Sequence, residues 1–176
     1  MFASRSRPGW AEDVAALRAA VAGLPPARTL DVACGTGYLT RDLRGEVTGL
    51  DQSETMISIA RERVPGGRFV VADAIPLPFA DGEFERVFTG HFYGHLEEPA
   101  RSRFLAGTRR VGKELVVVDS ARRADVPAQR MDERVLNDGS RHQVFKRWFV
   151  AEELAEELGG DVLHAGPWFV AVRSPA

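Results

Sequence analysis

Carboxylates recur at the ends of short apolar runs in the first half of the chain. Asp31 lies within one such run, which stops at Gly35-Thr36-Gly37, and Asp51 and Asp73 end the next two runs. A glycine turn between a strand and a helix presents free backbone N–H groups to a ligand. Acids at the ends of neighbouring strands can accept hydrogen bonds from ribose hydroxyls and from the amino group of an adenine ring. The spacing indicates a nucleoside-binding site, although each acid could instead cap a helix or face water.

The glycine turn differs from a dinucleotide-binding turn. That fingerprint requires a third small residue, which lets the helix pack closely on the strand, and Thr40 takes its place here. Asp31 would repel a pyrophosphate and would attract an ammonium or sulfonium group. We therefore expect a cationic nucleoside ligand, and a nicotinamide-dependent oxidoreductase is the weaker alternative.

A second group of polar residues follows the fourth apolar run. His91, Tyr93 and His95 lie where that run ends, at the same predicted edge as the acids. Each is a candidate general base if a substrate must lose a proton. The same residues could also form only a loop that joins a strand to a helix.

A parallel sheet is needed to bring these residues together. Strands are predicted at residues 28–34, 46–51, 69–72, 84–90, 114–119, 161–165 and 168–173, and helices at 10–23, 37–44, 54–64, 99–110, 127–136 and 151–158. This alternation predicts an α/β fold with a mostly parallel seven-stranded sheet, helices on both faces and one antiparallel strand in a C-terminal hairpin. Ligands of such sheets bind outside the carboxyl ends of the strands.

Length and composition fit a single domain over residues 1–176. The chain is 44% hydrophobic and 27% charged, with a formal net charge of −2, so no basic excess indicates a nucleic-acid partner. No apolar run is long enough to span a bilayer, and no secretory signal is recognisable. Because Cys34 is the only cysteine, we expect a reducing, cytoplasmic location. Residues 1–9 are predicted to be a loose tail, 10–24 an N-terminal helix and 121–148 a lid; the sequence does not indicate an oligomeric state.

Four segments resemble motifs of the class I S-adenosylmethionine-dependent methyltransferases, in particular the small-molecule branch of the ubiquinone- and menaquinone-biosynthesis enzymes. Residues 30–37, Leu-Asp-Val-Ala-Cys-Gly-Thr-Gly, are similar to the first motif, and Asp51-Gln52-Ser53 with Met56 is similar to the second. Residues 71–84 resemble the third motif, and 149–154 resemble the start of the late helix. The resemblance covers residues 28–173 and implies a Rossmann-like three-layer sandwich.

The resemblance implies S-adenosyl-L-methionine as the cofactor and S-adenosyl-L-homocysteine as its product. No pair of acids with an Asn is grouped after the fourth apolar run, so no metal site is expected there. Position by position, it implies cofactor contacts from Asp31, Ala33, Cys34, Gly35, Gly37, Asp51, Gln52, Met56, Asp73, Ala74 and His91. Ala33 stands where many members have glycine. Val150-Ala151 replaces the usual Ser/Thr-Pro before the last helix, so a side-chain cap worth about 1 kcal/mol is absent.

The resemblance also implies methyl transfer to a small organic acceptor by in-line displacement, in which alignment and exclusion of water supply most of the catalysis. The accepting atom stays open among oxygen, nitrogen and carbon. The lid at 121–148 is rich in arginine, which could clamp an anionic acceptor or form an ordinary solvated face. A catalytically inactive S-adenosylmethionine-binding regulatory or partner protein is the alternative function.

Overall fold

The computed structural model describes residues 8–135 and 139–175. Along them the elements are α1 (Trp10–Ala22), β1 (Thr29–Val32), β2 (Val47–Asp51), α2 (Glu54–Arg63), β3 (Arg68–Val71), β4 (Arg86–Gly90), α3 (Ala100–Val111), β5 (Glu114–Ser120), β6 (Gln129–Val135), β7 (Arg141–Arg147), α4 (Ala151–Leu158), β8 (Asp161–Ala165) and β9 (Phe169–Pro175). Two short 3-10 helices lie at Thr40–Asp42 and Tyr93–His95. Of the predicted tail, residues 1–7 lie outside the described residues.

Seven of these strands form one sheet in the order β3-β2-β1-β4-β5-β9-β8. Strands β1 to β5 pair in parallel, and β9 lies antiparallel to both β5 and β8. The seven-stranded, mostly parallel sheet predicted from the sequence is therefore confirmed. The chain moves from β1 outward to β3 and then crosses back to β4, so the order reverses between β1 and β4, where open α/β sheets bind their ligands.

The sheet is sandwiched between two apolar layers. One layer includes Leu30 and Val32 of β1 and Phe84, which precedes β4. These residues share a cluster with Phe104 of α3 and Leu154 of α4. The other layer packs α1 and residues 39–43 against the opposite face. Every residue of β1 is buried, which is expected for a strand covered on both faces. Asp31, at the third position of that strand, is therefore an ionisable group placed inside a core.

The helix predicted at residues 37–44 is wrong. The structure has a turn there, followed by the 3-10 helix Thr40–Asp42. Gly35 and Gly37 both have positive φ angles, 53° and 71°, which an α-helix does not accept. Leu43 is already extended and β2 begins at Val47, so too few residues remain for a stable α-helix.

The helix predicted at residues 127–136 is also wrong, and the segment forms strand β6. It pairs with β7 in antiparallel register, with Met131 opposite Phe145 and Arg130 opposite Lys146. The residues of β6 have good helix propensity, but cross-strand pairing with β7 outweighs it. The predicted lid at 121–148 is thus largely a separate two-stranded hairpin, and it adjoins the 3-10 helix Tyr93–His95 that follows β4.

Candidate functional site

Asp31 is a buried carboxylate with an incomplete set of partners. Its side chain is 2% exposed, and the Thr40 hydroxyl donates a hydrogen bond of 2.6 Å to Oδ2. The other oxygen, Oδ1, is buried and accepts no hydrogen bond. Burial raises the pKa of Asp31 to about 7; the charge of Asp51 adds to this effect and the Thr40 hydrogen bond opposes it. A nearby cation would stabilise the ionised form of such a group.

The backbone next to Asp31 is strained at two positions. Ala33 and His91 have φ angles of 57° and 60°, the positive values among non-glycine residues of the described chain. Left-handed backbone costs a residue with a Cβ about 1–2 kcal/mol, and such strain clusters at functional sites. The two residues follow the adjacent strands β1 and β4. The geometry at Ala33 also explains why glycine suits this position, and why alanine, with only a methyl group, is tolerated.

Asp51 connects the glycine turn to the start of α2. Its Oδ2 accepts a hydrogen bond of 2.9 Å from the Gly35 amide, and its Oδ1 accepts one of 2.9 Å from the Ser53 amide. Ser53 is the N-cap of α2, with its hydroxyl accepting from the Met56 amide at 3.4 Å. A carboxylate has about four acceptor positions, so two remain for a ligand. Asp51 thus supports the turn and keeps capacity for ribose hydroxyls.

Two cavities meet at Ala33 on this edge of the sheet. The first has a volume of about 280 Å³ and is lined by Ala33, Leu50, Asp51, Gln52, Ala72, Asp73, Ala74, Ile75 and Phe92. The second has a volume of about 200 Å³ and is lined by Asp31, Ala33, Cys34, Gly35, Thr36, Tyr38, Leu39, Phe88, Gly90 and His91. Asp51 and Asp73, which are predicted to bind the ribose and the adenine, line the first cavity. Asp31, which is predicted to attract a cationic group, lines the second.

Nine of the eleven predicted cofactor residues line these two cavities. Gly37 and Met56 do not: Gly37 turns the chain close to Ala60 and Val64, and Met56 lies on α2 with 39% of its surface exposed. The sequence motifs miss the apolar walls formed by Leu50, Ile75 and Phe92. Each of these three directly adjoins a predicted residue in the chain, and that adjacency is the signal that could have found them.

His91 lies at the mouth of the second cavity. Its side chain keeps exposed surface, and its ring stands edge-on to Phe169 with 5.4 Å between centroids. Loss of hydration in this recess lowers the pKa of His91, and the positive charge of Lys146 adds to the effect while Asp119 opposes it. The imidazole is therefore neutral at pH 7 and able to accept a proton.

Tyr93 and His95 have other surroundings. Tyr93 is fully buried, and its hydroxyl donates to Glu157 at 2.7 Å; burial first, and then the contact with Glu157, raises its pKa above the usual value. His95 is half-buried, and its Nδ1 donates to the Phe145 carbonyl at 2.6 Å, while burial lowers its pKa. Neither residue lines the two cavities, so of the three candidate bases only His91 borders them.

A buried ion pair attaches the hairpin to the edge of the sheet. Asp119, at the end of β5, has no exposed surface and pairs with Lys146 of β7. Asp119 also accepts hydrogen bonds from the Gly94 amide at 2.8 Å and the Ser120 amide at 2.7 Å. Together with the contact between His95 and Phe145, this pair fixes the hairpin beside His91.

Most cations of the predicted lid are paired with acids. The pairs are Arg122–Glu153, Arg123–Asp125, Arg130–Asp132, Arg141–Glu133, Lys146–Asp119 and Arg147–Glu157. Apart from the buried Lys146–Asp119 pair, all of these pairs are at least partly exposed to solvent. Within the described ranges, no cluster of three or more His, Cys, Asp or Glu side chains is arranged to hold a metal ion. None of the helices in that part of the chain combines the length and apolar character needed to cross a bilayer.

The fold and the motifs are similar to those of the class I S-adenosylmethionine-dependent methyltransferases, the family that the sequence resemblance indicates. A family profile described as "Methyltransferase domain" matches residues 29–114. The chain is 39% identical over 93 residues to a demethylmenaquinone methyltransferase of Thermotoga maritima, covering 50% of this chain and 40% of that protein. The chain thus spans less than half the length of this curated relative.

Solved structures extend the similarity over nearly the whole chain. A DhpI–SAH complex superposes with a TM-score of 0.75 at 27% identity, covering 93% of this chain and 83% of that one. A DhpI–SAM–HEP complex superposes with a TM-score of 0.73 at 26% identity, covering 96% of this chain and 88% of that one. These alignments cover a much larger share of this chain than the alignment with the curated relative does.

Proposed function

We propose that this chain binds S-adenosylmethionine along the carboxyl edge of its sheet and transfers the methyl group to a small organic acceptor. The observation that carries the proposal is the pair of cavities that meet at Ala33. One offers Asp51 and Asp73 to a nucleoside, and the other offers the buried Asp31 carboxylate to a cationic group. The SAH- and SAM-bound structures of DhpI support the same ligand for this chain.

The residues present fit this cofactor. Asp31 has a buried oxygen without a hydrogen-bond donor, as expected beside a site for an ammonium group. Ala33 lines both cavities and contributes only a methyl side chain, so a ligand that occupies both would pass beside this residue. The glycine turn holds the chain close to that path, with the Gly35 amide fixed by Asp51.

When bound, S-adenosylmethionine supplies a methyl group that its sulfonium centre already activates. The contribution of the chain is then to align the acceptor with that methyl group and to exclude water. Asp51 orients the ribose through its remaining acceptor positions, Asp73 contacts the adenine, and Asp31 attracts the amino-acid end. Phe88, Phe92 and Leu39 supply apolar walls to the two cavities.

The apolar ring of Phe169 beside His91 offers a surface for an organic acceptor. His91 is the proton acceptor in this proposal, because it borders the second cavity and is neutral at pH 7. Tyr93 and His95 have no such access.

The cofactor site is tested by titrating the protein with S-adenosylhomocysteine in a calorimeter. We expect Asp51→Ala to weaken binding at least fivefold, about 1 kcal/mol or more, because it removes a carboxylate that binds the ribose. Asp81→Ala is the matched control, since Asp81 is 81% exposed and lies in a loop before β4. Equal affinity of the Asp51→Ala and Asp81→Ala proteins would contradict the site.

The catalytic proposal is tested by turnover against a panel of phenols, amines and carbon acids. With an acceptor that must lose a proton, His91→Gln should lower kcat by about 10²-fold or more, and the activity of the unmodified protein should fall as His91 becomes protonated at acid pH. His95→Gln is the comparison, because its Nδ1 is already committed to Phe145. Binding of the cofactor without turnover of any acceptor would favour the inactive alternative.

A further inference from the structure

Asp31 and Thr40 form a unit whose chemistry extends beyond holding a ligand. Thr40 occupies the place of the third small residue in a dinucleotide turn, and its hydroxyl donates to Oδ2 of Asp31. The carboxylate is 2% exposed, Oδ1 has no partner, and the residue lines the second cavity. A carboxylate in this state binds a proton readily when the cavity holds no cation.

We propose that Asp31 is protonated in the ligand-free site and releases its proton to solvent when a cationic ligand occupies the second cavity. Thr40 is the positioning residue that sets the pH at which this exchange occurs. The inference rests on the proposed binding of S-adenosylmethionine or its product, both of which carry an α-ammonium group. The covalent bond that breaks is the O–H bond of the carboxylic acid. The ammonium group then compensates the charge that the carboxylate gains.

The groups around Asp31 favour this exchange. Asp51 of β2 is the acid that repels its charge, and Cys34 of the following turn has its own pKa raised by burial and by Asp31. Tyr38 and His91 line the same cavity. Within residues 8–135 and 139–175, no lysine, arginine or histidine forms an ion pair with Asp31. The compensating cation therefore has to come from the ligand.

The consequence is a binding affinity that depends on pH with a defined sign. Burial raises the pKa of Asp31 to about 7, so a ligand that prefers the carboxylate must displace a proton below that pH. We expect S-adenosylhomocysteine to bind about tenfold more tightly at pH 8 than at pH 6, with about half a proton released per ligand at pH 7. A protonated His91, which lines the same cavity, would also lose a proton to a cationic ligand and would give a pH dependence of the same sign, which is why it is tested separately.

The experiment is calorimetric titration with S-adenosylhomocysteine at several pH values, in buffers of different ionisation enthalpy, which counts the protons released. Asp31→Asn should abolish the proton release and flatten the pH profile, and His91→Gln should leave both in place. Thr40→Val removes a hydrogen bond to the carboxylate, so the midpoint of the profile should move to higher pH, and Thr40→Ser should restore it. A purely structural role for Thr40 would weaken binding equally at every pH.

The outcomes separate this inference from the proposed function. Binding of S-adenosylhomocysteine without proton release and with constant affinity from pH 6 to 8 would overturn the inference and leave the proposed function standing. Proton release that persists in Asp31→Asn would also overturn it. Absence of binding at every pH would overturn the proposed function itself. Proton release and the change of affinity between pH 6 and 8 are measured first on the unmodified protein, so this test does not depend on the folding of any variant.

Discussion

Replacing Asp31 with asparagine should stabilise the ligand-free protein at alkaline pH. The buried carboxyl has a pKa of about 7 in the folded chain and about 4 in the unfolded chain. The folded state therefore holds a proton that the unfolded state has lost between these values. The stability that this proton supplies is complete below pH 4 and is lost as the pH rises through 7. Asparagine has nearly the same shape and no charge, so its contribution does not vary with pH.

The magnitude follows from the difference in pKa. A difference of three pKa units corresponds to a loss of about 4 kcal/mol of unfolding free energy at pH 8. About 1 kcal/mol of this loss has already occurred at pH 4.5. The difference in unfolding free energy between Asp31→Asn and the unmodified protein should therefore change by up to about 3 kcal/mol between these two pH values, in favour of the variant at pH 8. The change with pH is the diagnostic quantity, because the buried amide has a cost of its own that is constant with pH.

Urea denaturation at pH 4.5 and pH 8 measures this difference. Asp81→Asn is the control, because the exposed Asp81 carboxylate should give a pH-independent difference close to zero. A difference for Asp31→Asn that is the same at both pH values would refute the assignment of the raised pKa to Asp31. The expected change with pH would mean that the protein keeps the Asp31 carboxyl for its ligand although this group lowers the stability of the ligand-free protein at alkaline pH.

Two further substitutions test the contacts that position the site. Lys146→Met should lower the unfolding free energy by about 3 kcal/mol, because it leaves the buried Asp119 without its cation, and urea denaturation measures the loss. Asp13→Ala should cost about 3 kcal/mol in the same assay. The Asp13 carboxylate accepts hydrogen bonds from the amides of Trp168 and Phe169, at 2.8 and 3.0 Å, and its removal takes this buried acceptor away from both amides.

Each of these variants has a matched control. Arg141→Met breaks the exposed pair with Glu133 on the same strand as Lys146, and it should cost less than about 1 kcal/mol. Glu12→Ala removes an exposed acid next to Asp13 and should have a similarly small effect. If Lys146→Met were as mild as Arg141→Met, the hairpin would not depend on the buried pair. A stable Asp13→Ala protein would show that α1 is held to the C-terminal hairpin by apolar contacts alone.

The sequence predicts the sheet well because its strands are buried on both faces. Runs such as Val116-Val117-Val118 have no other stable location, and the acids that end them mark the edge where ligands bind. Asp51 and Asp73 line the first cavity as their spacing predicts. The C-terminal helix, Ala151–Leu158, agrees with the prediction at both ends, because Gly159 provides the left-handed cap that stops it.

The sequence is less informative where tertiary contacts decide the conformation. Strand β6 contains good helix formers, and only its pairing with β7 makes it extended. The unusual φ angles of Ala33 and His91 depend on the surrounding fold, and neither residue type signals them. The roles of Tyr93 and His95 are set by Glu157 and by the Phe145 carbonyl, which lie far away in the chain.

The bond from the Gly35 amide to Asp51 exists before any ligand arrives. A loop that must become ordered around its ligand slows association and adds an entropic cost. Here the turn is already joined to the end of β2, and Asp51 is joined in turn to Ser53 at the start of α2. We therefore expect the Gly35 amide to be protected from hydrogen exchange in the ligand-free protein as well as in the complex.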